Sequence, residues 1–162
     1  MTKLSFIFFS SIILTFTANA QGGYNGIKKT VDELHGTTTY TSDIDPNSPL
    51  ITVSKISDKT HSSFTINFMI WNQVLDTNQK GLFIKFSDGS ILRLPNQLVH
   101  AGYVHGNLGY SYTTLLRINS KNINRLTSKK IIKYAVGDTE AEVPDNWAKK
   151  YITYINCINR TR

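Results

Sequence analysis

His100 and His105 lie five residues apart, while His35 and His61 stand alone in the chain. A zinc site needs three or four converging His, Cys or carboxylate ligands. On one continuous strand His100 and His105 would point to opposite faces. No metal or cofactor is therefore expected. Two carboxylate pairs occur at i and i+2, Asp43/Asp45 and Glu140/Glu142. On a strand such a pair shares a face, and two carboxyls flanking a sugar linkage can carry out acid–base hydrolysis. Turn chemistry accounts equally well for Asp43 and Asp45, and a solvated strand face for Glu140 and Glu142. Cys157 is the only cysteine, with no histidine beside it in sequence and no Gly-x-Ser-x-Gly elbow elsewhere, so nucleophilic catalysis has no local signature. Gly102, Gly106 and Gly109 precede a strand-forming segment, whereas a phosphate-cradling loop leads from a strand into a helix.

Residues suited to contact are more concentrated. The stretch His100 to Tyr112 gathers three tyrosines among glycines and histidines. Tyrosine offers a wide apolar ring with a polar tip, useful for stacking on sugars or gripping a protein. Tyr103, His105, Tyr110 and Tyr112 are thus the candidate binding residues, against the simpler reading that they pack at a sheet edge. Trp71 and Trp147 read as core or rim packing. Arg117, Lys121, Arg125, Lys129, Lys130 and Lys133 form a basic segment, followed at once by Asp138, Glu140, Glu142 and Asp145. Arg125, Lys129 and Lys130 are the anion-binding candidates within it. No aromatic platform is interleaved with these charges, which argues against nucleic acid as a partner despite the net charge of +7.

Residues 1–20 read as an export signal: Lys3 precedes the apolar run Leu4 to Phe16, and Ala18-Asn19-Ala20 fits the small-x-small cleavage rule. The apolar run is shorter than the roughly 20 residues of a membrane-spanning helix. Cleavage after Ala20 would leave 142 residues starting at Gln21, with a net charge of +6. The expected location is periplasmic or secreted, without a stable membrane span. A chain of this size buries roughly two-thirds of its unfolded surface and needs no disulfide. Cys157 then reads as a small buried hydrophobe.

The elements that must position these residues are mostly strands. Residues 21–36, broken by Gly22, Gly23, Gly26 and Gly36, read as an irregular lead-in to a single β-rich domain over 37–162. Strands are expected over Thr37–Thr41, Leu50–Ile56, Ser62–Trp71, Tyr110–Ile118 and Lys130–Val136, the third with Phe64, Ile66, Phe68 and Ile70 on one face. Further short strands are expected at Leu98–Ala101 and around Ala141. Ser120 is the expected cap of a helical turn near 121–126. A terminal helix starts near Pro144, its apolar stripe formed by Ala148, Tyr151, Ile152, Ile155 and Ile158. At the centre lies Gly81–Pro95, two apolar runs around Asp88-Gly89. A two-residue type I′ loop there places Phe86 opposite Ile91, Ile84 opposite Arg93, Lys85 opposite Leu92 and Phe83 opposite Leu94. Both faces of that ribbon would be apolar, and cover on both sides is expected. The fold class is α+β: a mostly antiparallel sheet, flat or curled to a sandwich or partial barrel, with one C-terminal amphipathic helix.

With Phe86-Ser-Asp-Gly-Ser-Ile91, Leu126-Thr-Ser-Lys-Lys-Ile-Ile-Lys-Tyr134 and the helix from Ala148 to Ile158, the chain resembles a loose group of small exported bacterial β-rich proteins with a C-terminal helix. The resemblance covers roughly the last half of the chain. It implies a fold and a compartment and no activity. The function expected is a non-enzymatic envelope or extracellular module binding a protein or a glycan. The alternatives are a small carboxylate-dependent hydrolase and an anion-binding domain using residues 117–133.

Overall fold

The structure is a computed structural model that describes residues 26–43, 48–104 and 109–161. The expected export signal, its cleavage site, Asp45 and His105 lie outside those residues. The fold is α+β, mostly antiparallel strand in two sheets with a short helix and a C-terminal helix. The large sheet holds β1 (Ile27–Asp32), β2 (Thr37–Ser42), β3 (Ile51–Ser57), β4 (Ser62–Asn72), β7 (His100–Tyr103) and β8 (Tyr110–Arg117), in the order β1-β2-β3-β4-β8-β7. The small sheet holds β5 (Lys80–Phe86), β6 (Ile91–Leu98), β9 (Ile131–Val136) and β10 (Thr139–Glu142), in the order β10-β9-β5-β6. The helices are α1 (Ile123–Ser128) and α2 (Asp145–Arg160).

Alternation along each strand decides which face is buried. From the large sheet Val53, Ile66, Phe68, Tyr112 and Leu116 enter the core, and from the small sheet Leu82, Ile84, Phe86, Ile131, Tyr134 and Val136. The α2 helix packs beside β9 over β2 and β3 and contributes Trp147, Ala148, Tyr151, Ile155 and Ile158. Two buried hydroxyls reach backbone carbonyls between layers: Tyr134 donates to Met69 O at 2.7 Å, and Tyr151 to Pro49 O at 2.6 Å. Such bonds let large tyrosines enter the core without leaving a polar atom unpaired. Along one side the sheets are stitched together. The chain passes from β6 to β7 through Val99 alone. Thr114 Oγ1 donates to Leu98 O at 2.7 Å there, and Gln97 Nε2 to Leu115 O at 3.0 Å. Among the described residues no helix is long and apolar enough to cross a membrane.

Several local expectations are corrected. Within the lead-in, residues 27–32 form β1, paired along its whole length with β2. Five of its six residues are exposed, so as an edge strand it lacks the apolar alternation that announces a half-buried one. The strand after the central turn runs past Pro95 to Leu98. Proline is tolerated there because β6 is a sheet edge, where the missing N–H leaves no ladder bond unmade. The helical turn is organised by Asn119 and not Ser120: Asn119 Oδ1 accepts from the amides of Lys121 at 2.9 Å and Asn122 at 3.3 Å. A register shift opposite Lys85 and Phe86 turns Ile131 inward with Tyr134 and Val136, where plain alternation would bring Ile132.

The correction with most consequence is at the central hairpin. Phe86 N–H donates to Ser90 O and Gly89 N–H to Phe86 O, both at 2.9 Å. Ser87, Asp88 and Gly89 together therefore form the loop, with Gly89 at φ +81°. This is a type I turn followed by a left-handed residue, the usual three-residue connection. The register moves by one from the two-residue expectation: Phe83 opposes Arg93, Ile84 opposes Leu92, and Lys85 opposes Ile91. A slip of one residue exchanges faces on one strand. Leu82, Ile84, Phe86, Leu92 and Leu94 now share the core face, and the other face is open instead of covered.

Candidate functional site

The open face of the small sheet carries the most organised set of polar side chains that no core contact requires. Its register sets out two rows across the four strands. One reads Arg93, Phe83, Ala135, Glu140, and the other Ile91, Lys85, Lys133, Glu142. Together with Tyr134, Gly137 and Asp138, most of these residues line a recess of about 380 Å³. That lies near the lower end of the roughly 300–1,000 Å³ typical of small-molecule sites.

The floor is apolar. The half-buried ring of Phe83 lies over Gly81: a β-carbon at position 81 would stand 3.0 Å from that ring and 3.3 Å from Pro95 O. Gly81 also holds φ at +101°, so both space and backbone call for glycine there. At the rim, Lys133 Nζ lies 3.0 Å from Glu140 Oε2 and 2.8 Å from Glu142 Oε1. The hydrogen bonds it donates to these carboxylates, Glu142 first, raise the pKa of the Lys133 ammonium. Lys85 and Arg93 are exposed, and among the described residues no carboxylate lies within ion-pair distance of either. Lys85 moreover faces Lys133 directly across the β5–β9 ladder. Like charges so placed are mutually destabilising.

The tyrosine group named from sequence is only partly assembled. Tyr103 opposes Tyr110 at the end of the large sheet, rings edge to face with centroids 5.9 Å apart. Tyr112 is fully buried. Its hydroxyl donates to Val74 O and accepts from the Asp76 N–H, each at 2.6 Å, which makes it a core residue and not a contact surface. The basic segment is dispersed as well. Lys129 pairs with Asp88 at 2.5 Å and Lys130 with Asp145 at 2.6 Å, while Arg125 projects from α1 into solvent. Two of the three anion-binding candidates thus already have carboxylate partners. Among the described residues no three His, Cys, Asp or Glu side chains gather as metal ligands. Cys157 is buried on α2, and burial pushes its thiol pKa up, away from the reactive thiolate.

Sequence reasoning missed Lys85 and Arg93 because the two-residue loop set them on opposite faces. The signal that could have found them is Ser87-Asp88-Gly89 itself. Glycine in third place suits the left-handed position of a three-residue loop. Asp88 Oδ1 takes the Ser90 amide at 3.0 Å and the Ser90 hydroxyl at 2.6 Å, fixing that turn from within.

No protein-family model, curated protein or solved structure matches this chain.

Proposed function

We propose that this protein is a non-enzymatic exported binding module, periplasmic or secreted, whose ligand site is the recess on the small sheet and whose ligand carries an anionic group. The observation behind this reading is the pair Lys85 and Arg93, held on rigid strands beside the Phe83 ring with no carboxylate of the described chain to neutralise them. Two exposed cations beside an apolar floor suit a ligand with one charged group and one apolar face. The hydrolase alternative has less support. A hydrolytic carboxylate pair needs space between its members for the bond to be broken. Between Glu140 and Glu142 lies the Lys133 ammonium.

Binding of small anionic ligands to the mature chain, compared with a Lys85→Ala/Arg93→Ala variant and an Arg125→Ala variant, tests the assignment. The first variant is expected to lose at least tenfold in affinity, and the second to bind as the parent does. Equal binding by parent and first variant would remove the recess as the site.

A further inference from the structure

We infer that the recess is a subsite for one carboxylated sugar unit of an acidic polysaccharide, its carboxylate held by Arg93 and Lys85 and its ring face lying on Phe83. This inference rests on the reading of the recess as the binding site and goes beyond it in naming the ligand. Three observations lead to it.

The first is charge. The recess is lined by three cations, Lys85, Arg93 and Lys133, and two carboxylates, Asp138 and Glu140. Glu142 beside the recess balances the count, but Glu140 and Glu142 are both engaged by Lys133. The cations left without a carboxylate partner are therefore Lys85 and Arg93, which suit a single carboxylate. A polyphosphate or a nucleic-acid backbone would bring several negative charges against the carboxylates of the far wall. Those carboxylates are instead suitable acceptors for sugar hydroxyls. The planar guanidinium of Arg93 presents the paired donors that a carboxylate accepts side by side.

The second is shape. Arg93 stands directly across the ladder from Phe83, with Ala135 on the far side of Phe83 in the same row. A cation therefore adjoins a flat apolar floor at one strand spacing, about 4.8 Å. A pyranose carrying its carboxyl at the ring edge matches that step: the C–H face meets the phenyl ring while the carboxylate reaches the next strand.

The third is the backbone. The recess lies on a sheet face, where the main-chain groups of β5 and β9 are already used in ladders on both sides. An extended peptide laid there would find side chains but no backbone donors or acceptors, and its own amides would go unpaired. Peptides that bind sheets do so at edges for this reason. A saccharide brings no backbone that needs a ladder.

Calorimetric titration of the mature chain with three oligosaccharides of equal length tests the inference: oligogalacturonate, its methyl ester, and a sulfated neutral oligosaccharide. Oligogalacturonate is expected to bind, and the methyl ester at least tenfold more weakly. Arg93→Gln and Phe83→Ala, each checked for a native circular dichroism spectrum, are expected to cost tenfold or more with oligogalacturonate. Lys121→Ala is expected to cost nothing. Equal affinity for acid and ester would overturn the carboxylate assignment. Binding of the sulfated probe alone, abolished by Lys85→Ala/Arg93→Ala, would overturn the carboxylated-sugar inference while leaving the recess as the site. Binding of none of the three would overturn both.

Discussion

Gly81 shows how closely the recess depends on single atoms. Its backbone sits at φ +101°, and the space where a side chain would begin is filled by the Phe83 ring. Gly81→Ala is therefore expected to destabilise the fold by about 1 kcal/mol or more, from backbone strain alone. It should also push the Phe83 ring off its seat. Denaturant unfolding reads the first effect and oligogalacturonate titration the second. A variant that kept full stability and full affinity would contradict the packing described. Phe83 was visible in sequence only as one apolar residue among several. Its role as floor emerges once Gly81 and the open face are both placed. The same holds for Tyr112, which composition and neighbourhood recommended as a contact residue. Its sequence neighbours are glycines and tyrosines, but its spatial neighbours are the core and the carbonyl of Val74.

At the scale of the element, the β5–β6 hairpin is the part that decides whether a site exists. The loop Ser87-Asp88-Gly89 sets the register, and the register sets which side chains share a face. The loop is also tied from outside, since Asp88 accepts from Lys129 at the end of α1. These hydrogen bonds, from Lys129 first and then Ser90, hold the Asp88 carboxyl far below the usual carboxylate range. Asp88→Asn removes the ion pair to Lys129 and leaves Asn-Gly between Ser87 and Ser90, the pair that favours a two-residue type I′ turn. Such a turn slips the ladder by one and separates Lys85 from Arg93. The expected outcome is a lower unfolding midpoint together with lost binding of the anionic probe, whereas Lys121→Ala should change neither. An unchanged chemical-shift pattern along β6 in the loop variant, with full affinity, would show that the turn does not set the register. The remaining elements were more legible. Regular alternation announced β4, and an apolar stripe announced α2, because both bury one face only. The edge strand β1 and the proline-bearing end of β6 gave no such signal, since neither buries a regular face.

For the whole molecule, electrostatics distribute unevenly along a chain of net charge +7. Lys130 and Lys149 both pair with Asp145 at the start of α2, at 2.6 and 2.7 Å. Hydrogen bonds from Lys130 first, then Lys149, draw the Asp145 pKa from 3.8 down to about 2. The sign of the pH effect follows from linkage. A carboxyl with a lower pKa in the folded state adds stability above its unfolded pKa and loses that contribution as pH falls through the folded one. The window is therefore about pH 4 down to about pH 2, set by the values given for Asp145. All three groups are solvent-facing, so the effect should be modest and reduced by salt. Asp145→Asn is expected to lower the thermal midpoint at pH 6, and to differ little from the parent at pH 2. A constant difference between the two at both pH values would count against the linkage. Of the basic segment that stood out in the linear chain, Lys130 thus holds the start of α2 and Lys129 ties the hairpin loop to the end of α1.

The linear chain by itself determined an α+β class, the main strands, the amphipathic terminal helix and the burial of Cys157. These follow from periodicity and composition, which act over a few residues at a time. Only the tertiary structure decided which cations remain free, which tyrosines remain exposed and which apolar face is left open. Those properties depend on which strands lie side by side and in what register. A single residue in a turn moves a whole ladder and carries Lys85 and Arg93 onto one surface.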